Sequence, residues 1–180
     1  FYYLTGFAEA EALLLLKRVG RKFTWMLFCQ ERNPEMEQWT GERLGTERAV
    51  TELGAHQAWP IEQWEKQLPE LLTGVEQLYF NLGDGTSVEQ ALLKQLKQFR
   101  QRNRAGVVFP LSIHTLDPLL HEMRLIKSSA ELKAMRKAAT ISAQAHRHAM
   151  QQCHTGMSEQ QLEGEILHQF NQQGSRTVAY

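Results

Sequence analysis

Two helix-start signatures in the last third of the chain constrain its fold more than any other feature. Ser128-Ser129-Ala130-Glu131 is a capping box, in which a serine hydroxyl takes an orphan backbone amide and the glutamate reaches back to the cap. Beyond it Leu132, Met135, Ala139, Ser142, His146, Ala149 and Cys153 recur at steps of three and four, which predicts a helix with that stripe turned inward. Gly156 stands where a left-handed residue would end this helix. Ser158-Glu159-Gln160-Gln161 opens a second helix, with Leu162, Ile166 and Phe170 on one side and Gly174 past its end. Two packed helices follow from the pattern, and no chemistry.

The preceding part alternates strand-like and helix-like segments. Strands are expected at residues 1–4, 12–17 and 23–28, with Val19-Gly20-Arg21 turning between the last two, and Gln38-Trp39 is expected to begin another. Thr46 should cap a helix ending at Gly54, and a helix from Pro60 to Leu72 should stop before Gly74. Leu78 to Leu82 reads as a short strand closed by Gly83-Asp84-Gly85, and Ser87 with Gln90 as the cap of a helix through Phe99. Residues 100–104 form a polar, solvated stretch, and Asp117-Pro118 starts another helix. Strands alternating with helices predict an α/β layered domain, a mixed sheet flanked by helices. Lys127-Ser128-Ser129 is the expected joint, dividing residues 1–126 from 127–180.

Lys+Arg and Asp+Glu both number 20 over 180 residues, giving no net charge and no basic block of the kind that holds nucleic acid. The longest purely apolar run, Ala12 to Leu16, is far too short to cross a membrane. Cys29 adjoins an apolar run and Cys153 lies on the predicted apolar stripe, so both are expected as buried, reduced thiols of a cytoplasmic protein. The aromatic start Phe-Tyr-Tyr-Leu and the end Thr-Val-Ala-Tyr both read as pieces of strand, so the chain is expected to be a fragment.

Few residues invite chemistry. His146 and His148 lie about 200° apart around a helix and cannot share an ion; His146 is expected to pack inward and His148 to face solvent. Glu165 and His168 share a helix face, but a carboxylate-bridged metal bundle needs a second such pair, so a surface contact is expected. His121-Glu122 is not a zinc-protease helix, because Leu125 occupies the place of the second histidine. No catalytic residue and no metal ligand is assigned.

Three separated blocks carry a resemblance. Phe1-Tyr2-Tyr3-Leu4-Thr5-Gly6-Phe7 with Glu9 and Glu11-Ala12, then Trp39-Thr40-Gly41-Glu42-Arg43-Leu44-Gly45, are similar to the amino-terminal domain of bacterial aminopeptidase P. His121 to Ser128 with Glu131, Met135 to Ala139 and Ala145-His146, followed by Gly156 to Glu159 and Leu162 to Ile166, resemble the entry to the pita-bread catalytic domain of those enzymes. Ala10 and Thr155 replace prolines usual in the family's turns.

The resemblance implies an amino-terminal α/β domain followed by the first two helices of a truncated pita-bread domain. It implies a metallopeptidase that releases the residue ahead of a proline, using two manganese ions whose Asp, His and Glu ligands all lie past Tyr180, so that this piece binds none. It implies peptides with proline second as partners, and a homo-oligomer. Trp39 is the implied substrate-binding residue, reaching toward a neighbouring subunit's pocket, where an ordinary core tryptophan on a strand is the competing reading. Arg102 or Arg104 lies near a second contributing arginine of the family. A prolidase-type dipeptidase and a metal-free binding or chaperone module of the same fold are the alternatives.

Overall fold

The computed structural model describes residues 1–101, 106 and 108–175. The chain divides into two compact units, residues 1–116 and 117–180.

The first unit is built on the hairpin β1 (Leu13–Val19) and β2 (Lys22–Cys29), antiparallel and closed by Gly20-Arg21 with Gly20 at φ 60. A third strand, β3 (Gln57–Pro60), joins β2 in parallel, giving a three-stranded mixed sheet in the order β1-β2-β3. Residues Met26 to Cys29 are all buried, as expected of a central strand covered on both sides. The two-residue period of β2 then divides the core. Leu27 and Cys29 pack on one face with Phe7, Ala49 and Ala55. Met26 and Phe28 pack on the other with Leu71, and Phe28 stacks on Trp59 at 5.3 Å. Helix α3 (Gly45–Thr51) supplies Ala49 to the first layer, and α4 (Trp64–Leu72) supplies Leu71 to the second.

The adjoining side of α4 closes another cluster, in which Leu68 and Leu72 meet Leu92, Leu96 and Phe99 of α5 (Ser87–Gln101) and also Phe109. Beside it lies a two-stranded parallel sheet of β4 (Gln77–Tyr79) and β5 (Ser112–His114). The expected α/β class with a mixed sheet and flanking helices is what forms.

Several local expectations are corrected. Residues 1–4 are no strand: α1 (Tyr2–Thr5) is a single helical turn ended by Gly6 at φ 69. The aromatic run carries β propensity, but among the described residues no strand is paired with it. Gln38 and Trp39 lie in a helix, α2 (Pro34–Thr40), because Asn33-Pro34 is a stronger start than the aromatic is a strand signal. Pro60 ends β3 instead of opening a helix, and a 3-10 turn at Ile61–Gln63 intervenes before α4. Thr86, not Ser87, caps α5, accepting the Glu89 amide at 3.2 Å. Glu89 is buried at the end of that turn, where its carboxylate takes the amides of Gly83 and Gly85 at 3.1 and 2.8 Å.

The second unit holds α6 (Asp117–Leu125), α7 (Ser129–Gln152) and α8 (Glu159–Gln172). Both capping boxes form as read from the sequence, Ser128 with Glu131 and Ser158 with Gln161. The buried stripe of α7 is Ile141, Ala145 and Ala149, rotated from the one expected. Leu132 and Met135 stand exposed, because α8 is shorter than α7 and packs on its later turns. Cys153 is exposed at the end of α7 in extended backbone, and Gly156, at φ 91, belongs to the turn after it. The strand expected from Thr177 to Tyr180 and the polar stretch 102–104 lie outside the described residues.

Candidate functional site

Trp39 projects from the last turn of α2 and is 86% exposed, so the reading of it as a core residue falls. The segment around it is assembled from polar contacts. Asn33 Oδ1 accepts the amides of Glu35 and Met36, each at 3.2 Å, and Pro34 fills the first helical position, where no amide is needed. Glu37 Oε1 reaches back to the Asn33 amide at 3.0 Å. Gly41, at φ 90, ends the helix, its amide donating to the Glu37 carbonyl at 3.0 Å.

Beyond Gly41 the chain is bound in two ways. Glu9 Oε1 accepts the Leu44 amide at 2.6 Å, tying the loop to the segment leading into β1. A run of alternating charges then links α2 to α3. Arg32 donates to Glu37 from Nη2 at 2.8 Å and from Nε at 3.3 Å, and Nη2 lies 3.7 Å from Glu42 Oε1. Arg48 meets Glu42 at 2.6 Å and holds Glu52 through Nε and Nη2 at 2.6 and 3.1 Å. The Arg32 guanidinium holds the Glu37 carboxyl below the usual carboxylate range, and Arg48 does the same for Glu52. The sequence reading missed this chain of charges. Its signal was the Glu-Arg-Asn-Pro-Glu-Met-Glu run, which joins a helix cap to a basic residue just before it.

In the second unit the expected roles of two histidines are exchanged. His146 is exposed, its Nδ1 2.8 Å from the Ser142 carbonyl, and His148 is half-buried with Nε2 2.8 Å from Glu165 Oε2. Glu165 therefore pairs across to α7, and the expected Glu165–His168 contact is not made; His168 meets Gln172 at 2.9 Å. The cause is the rotated stripe of α7, which turns His148 toward α8. Arg102 and Arg104 lie outside the described residues. Among the described residues no three His, Cys, Asp or Glu side chains come together as a metal site. Among them, too, no helix is long and apolar enough to cross a membrane.

Comparison with known proteins covers both units. Residues 1–79 match the family model described as Aminopeptidase P, N-terminal domain, and residues 133–180 match Metallopeptidase family M24. All of the chain aligns with the Xaa-Pro aminopeptidase of Escherichia coli at 37% identity and with that of Haemophilus influenzae at 34%. The chain spans 41% and 39% of the length of those relatives. Among solved structures, proline aminopeptidase P II from Yersinia pestis superposes with a TM-score of 0.92 at 40% identity, over 99% of this chain and 41% of that one. A zinc-substituted E. coli aminopeptidase P in complex with product gives 0.92 at 37%, with the same shares of each chain covered.

Proposed function

We propose that this chain is part of an aminopeptidase P enzyme, and that the protein carrying it removes the N-terminal residue from peptides whose second residue is proline. The observation that carries this reading is similarity along the whole chain, through both units, to proteins named Xaa-Pro aminopeptidase. The similarity to a zinc-substituted aminopeptidase P supports a metal-dependent hydrolysis. In our reading the metal is a pair of manganese ions, held by residues that this chain does not contain. In our reading residues 1–126 belong to the amino-terminal domain and 127–180 open the catalytic one, with α6, which falls in the second compact unit, as the connecting helix.

Trp39 is the residue of this chain that meets substrate. An Xaa-Pro amide has no N–H to offer, so recognition rests on the shape of the pyrrolidine ring, and an exposed indole face suits it. In our reading the site is completed across a subunit boundary, so the working protein is a homo-oligomer, and its free thiols fit the cytoplasm.

The test uses the intact protein with manganese and three substrates: an Xaa-Pro-Xaa tripeptide, its alanine counterpart and an Xaa-Pro dipeptide. Release of the first residue from the proline tripeptide alone is expected. Preference for the dipeptide would make it a prolidase, and no cleavage of any would leave a binding module.

A further inference from the structure

Helix α2 lies outside every apolar cluster of its unit. None of its residues is buried, and Glu37 alone is less than exposed, its side chain at 10%. Seven residues are too few for a helix to persist in water unaided. What fixes α2, and with it the place from which the indole projects, is therefore polar. Arg32 stands at the centre of those contacts, its fork on Glu37 inside the helix and one nitrogen near Glu42 in the loop beyond. Its stem is placed as firmly as its head: a Cβ built on Gly45 would lie 2.7 Å from Arg32 Cγ, so the glycine leaves room for the side chain to cross there.

We propose that Arg32 is the positioning residue for Trp39, gripping α2 by Glu37 and the following loop by Glu42 so that the indole is presented from one fixed place on the domain. The kinetic part of this inference rests on the reading of Trp39 as a substrate contact; the structural part does not. Exposed pairs contribute little singly, whereas a connected run with a bidentate arginine loses less side-chain entropy for each contact. Lysine cannot reproduce the fork.

The experiment is made in the intact protein carrying 5-fluorotryptophan, with the Trp39 fluorine signal identified by its loss in Trp39→Phe. Arg32→Met keeps the stem over Gly45 and removes the charge. The expected result is a shifted or broadened Trp39 signal with those of Trp25 and Trp59, which pack against the sheet clusters, unchanged. KM for the proline tripeptide should rise three- to tenfold with kcat nearly constant, and Arg32→Lys should recover part of both effects. In a Trp39→Ala background Arg32→Met should cause no further loss.

An unchanged Trp39 signal in Arg32→Met overturns the proposal, as does a change spread equally over Trp25 and Trp59. If the Trp39 signal moves while Trp39→Ala itself leaves the kinetics untouched, the positioning stands and the substrate role of Trp39 fails.

Discussion

At Gly45 the backbone takes φ 72, and a side chain there would also press on the stem of Arg32. Gly54 has a similar φ of 75 but open space around it. Gly54→Ala should therefore cost about 1 kcal/mol from backbone strain alone, and Gly45→Ala more, about 2–3 kcal/mol. Equal shifts in thermal unfolding would mean that the Arg32 stem gives way freely. The two cysteines make a similar contrast. Burial, with the nearby Glu9 and Glu31 carboxylates, pushes the Cys29 thiol up to about 11, while Cys153 is exposed. A thiol reagent at pH 8 should modify Cys153 and spare Cys29 until denaturant is added. Because the folded pKa of Cys29 is the raised one, its neutral form favours the fold fully below the ordinary thiol value of 9.0, and that contribution is lost as pH rises toward 11. Rapid labelling of Cys29 in the native protein would contradict its burial. Trp39 belongs at this scale too. At 86% exposed, Trp39→Ala should leave the melting temperature nearly unchanged, and in the intact protein it should lower kcat/KM about tenfold, roughly 1.4 kcal/mol. A large fall in melting temperature would contradict the exposed placement.

The capping boxes are the elements whose energetics follow most directly from the letters. Ser128→Ala should cost about 1 kcal/mol and fray the first turn of α7, read as faster amide exchange at Glu131 and Leu132, whose amides are bonded to Ser128. Acid should act on the same turn. The Ser128 amide, then its hydroxyl, hold the Glu131 carboxyl below its ordinary value of 4.5. As pH falls the unfolded chain takes up the proton first, so the contribution is present above about 4.5 and disappears as pH drops through the lower folded value. Protection of that turn, measured as the ratio of intrinsic to observed amide exchange, should fall below pH 4 in the native chain and respond less in Glu131→Gln; equal acid sensitivity of the two would remove Glu131 as the cause. Where element readings went astray, a local signal lost to a neighbour. Trp39 favoured a strand, but Asn33-Pro34 had already begun a helix. The four-residue β3 went unseen because it is short and ends in proline, and only its pairing with β2 makes it a strand.

Among the described residues, buried side chains are concentrated in the first unit; the second has Ile141, Ala145 and Ala149 at its centre. Amide exchange in the isolated chain should therefore be slowest in β2, at Met26 to Cys29, and faster throughout α7 and α8; the reverse order would contradict this distribution of cores. The sequence by itself determined what depends on near neighbours: the two capping boxes, the β1–β2 hairpin with its glycine turn, the inward side of α8 at Leu162, Ile166 and Phe170, and the family blocks. Tertiary structure decided which stripe of α7 is covered, since that depends on where α8 comes to lie. That packing exchanged the surroundings of His146 and His148 and joined Glu165 to the latter. It also decided the setting of Trp39, because Arg32, Glu42 and Arg48 become a chain of contacts only when the segment after β2, the loop after α2, and α3 are brought together. Caps and turns are made by groups a few residues apart and can be read from the letters, whereas burial and ion pairing depend on which distant surfaces meet.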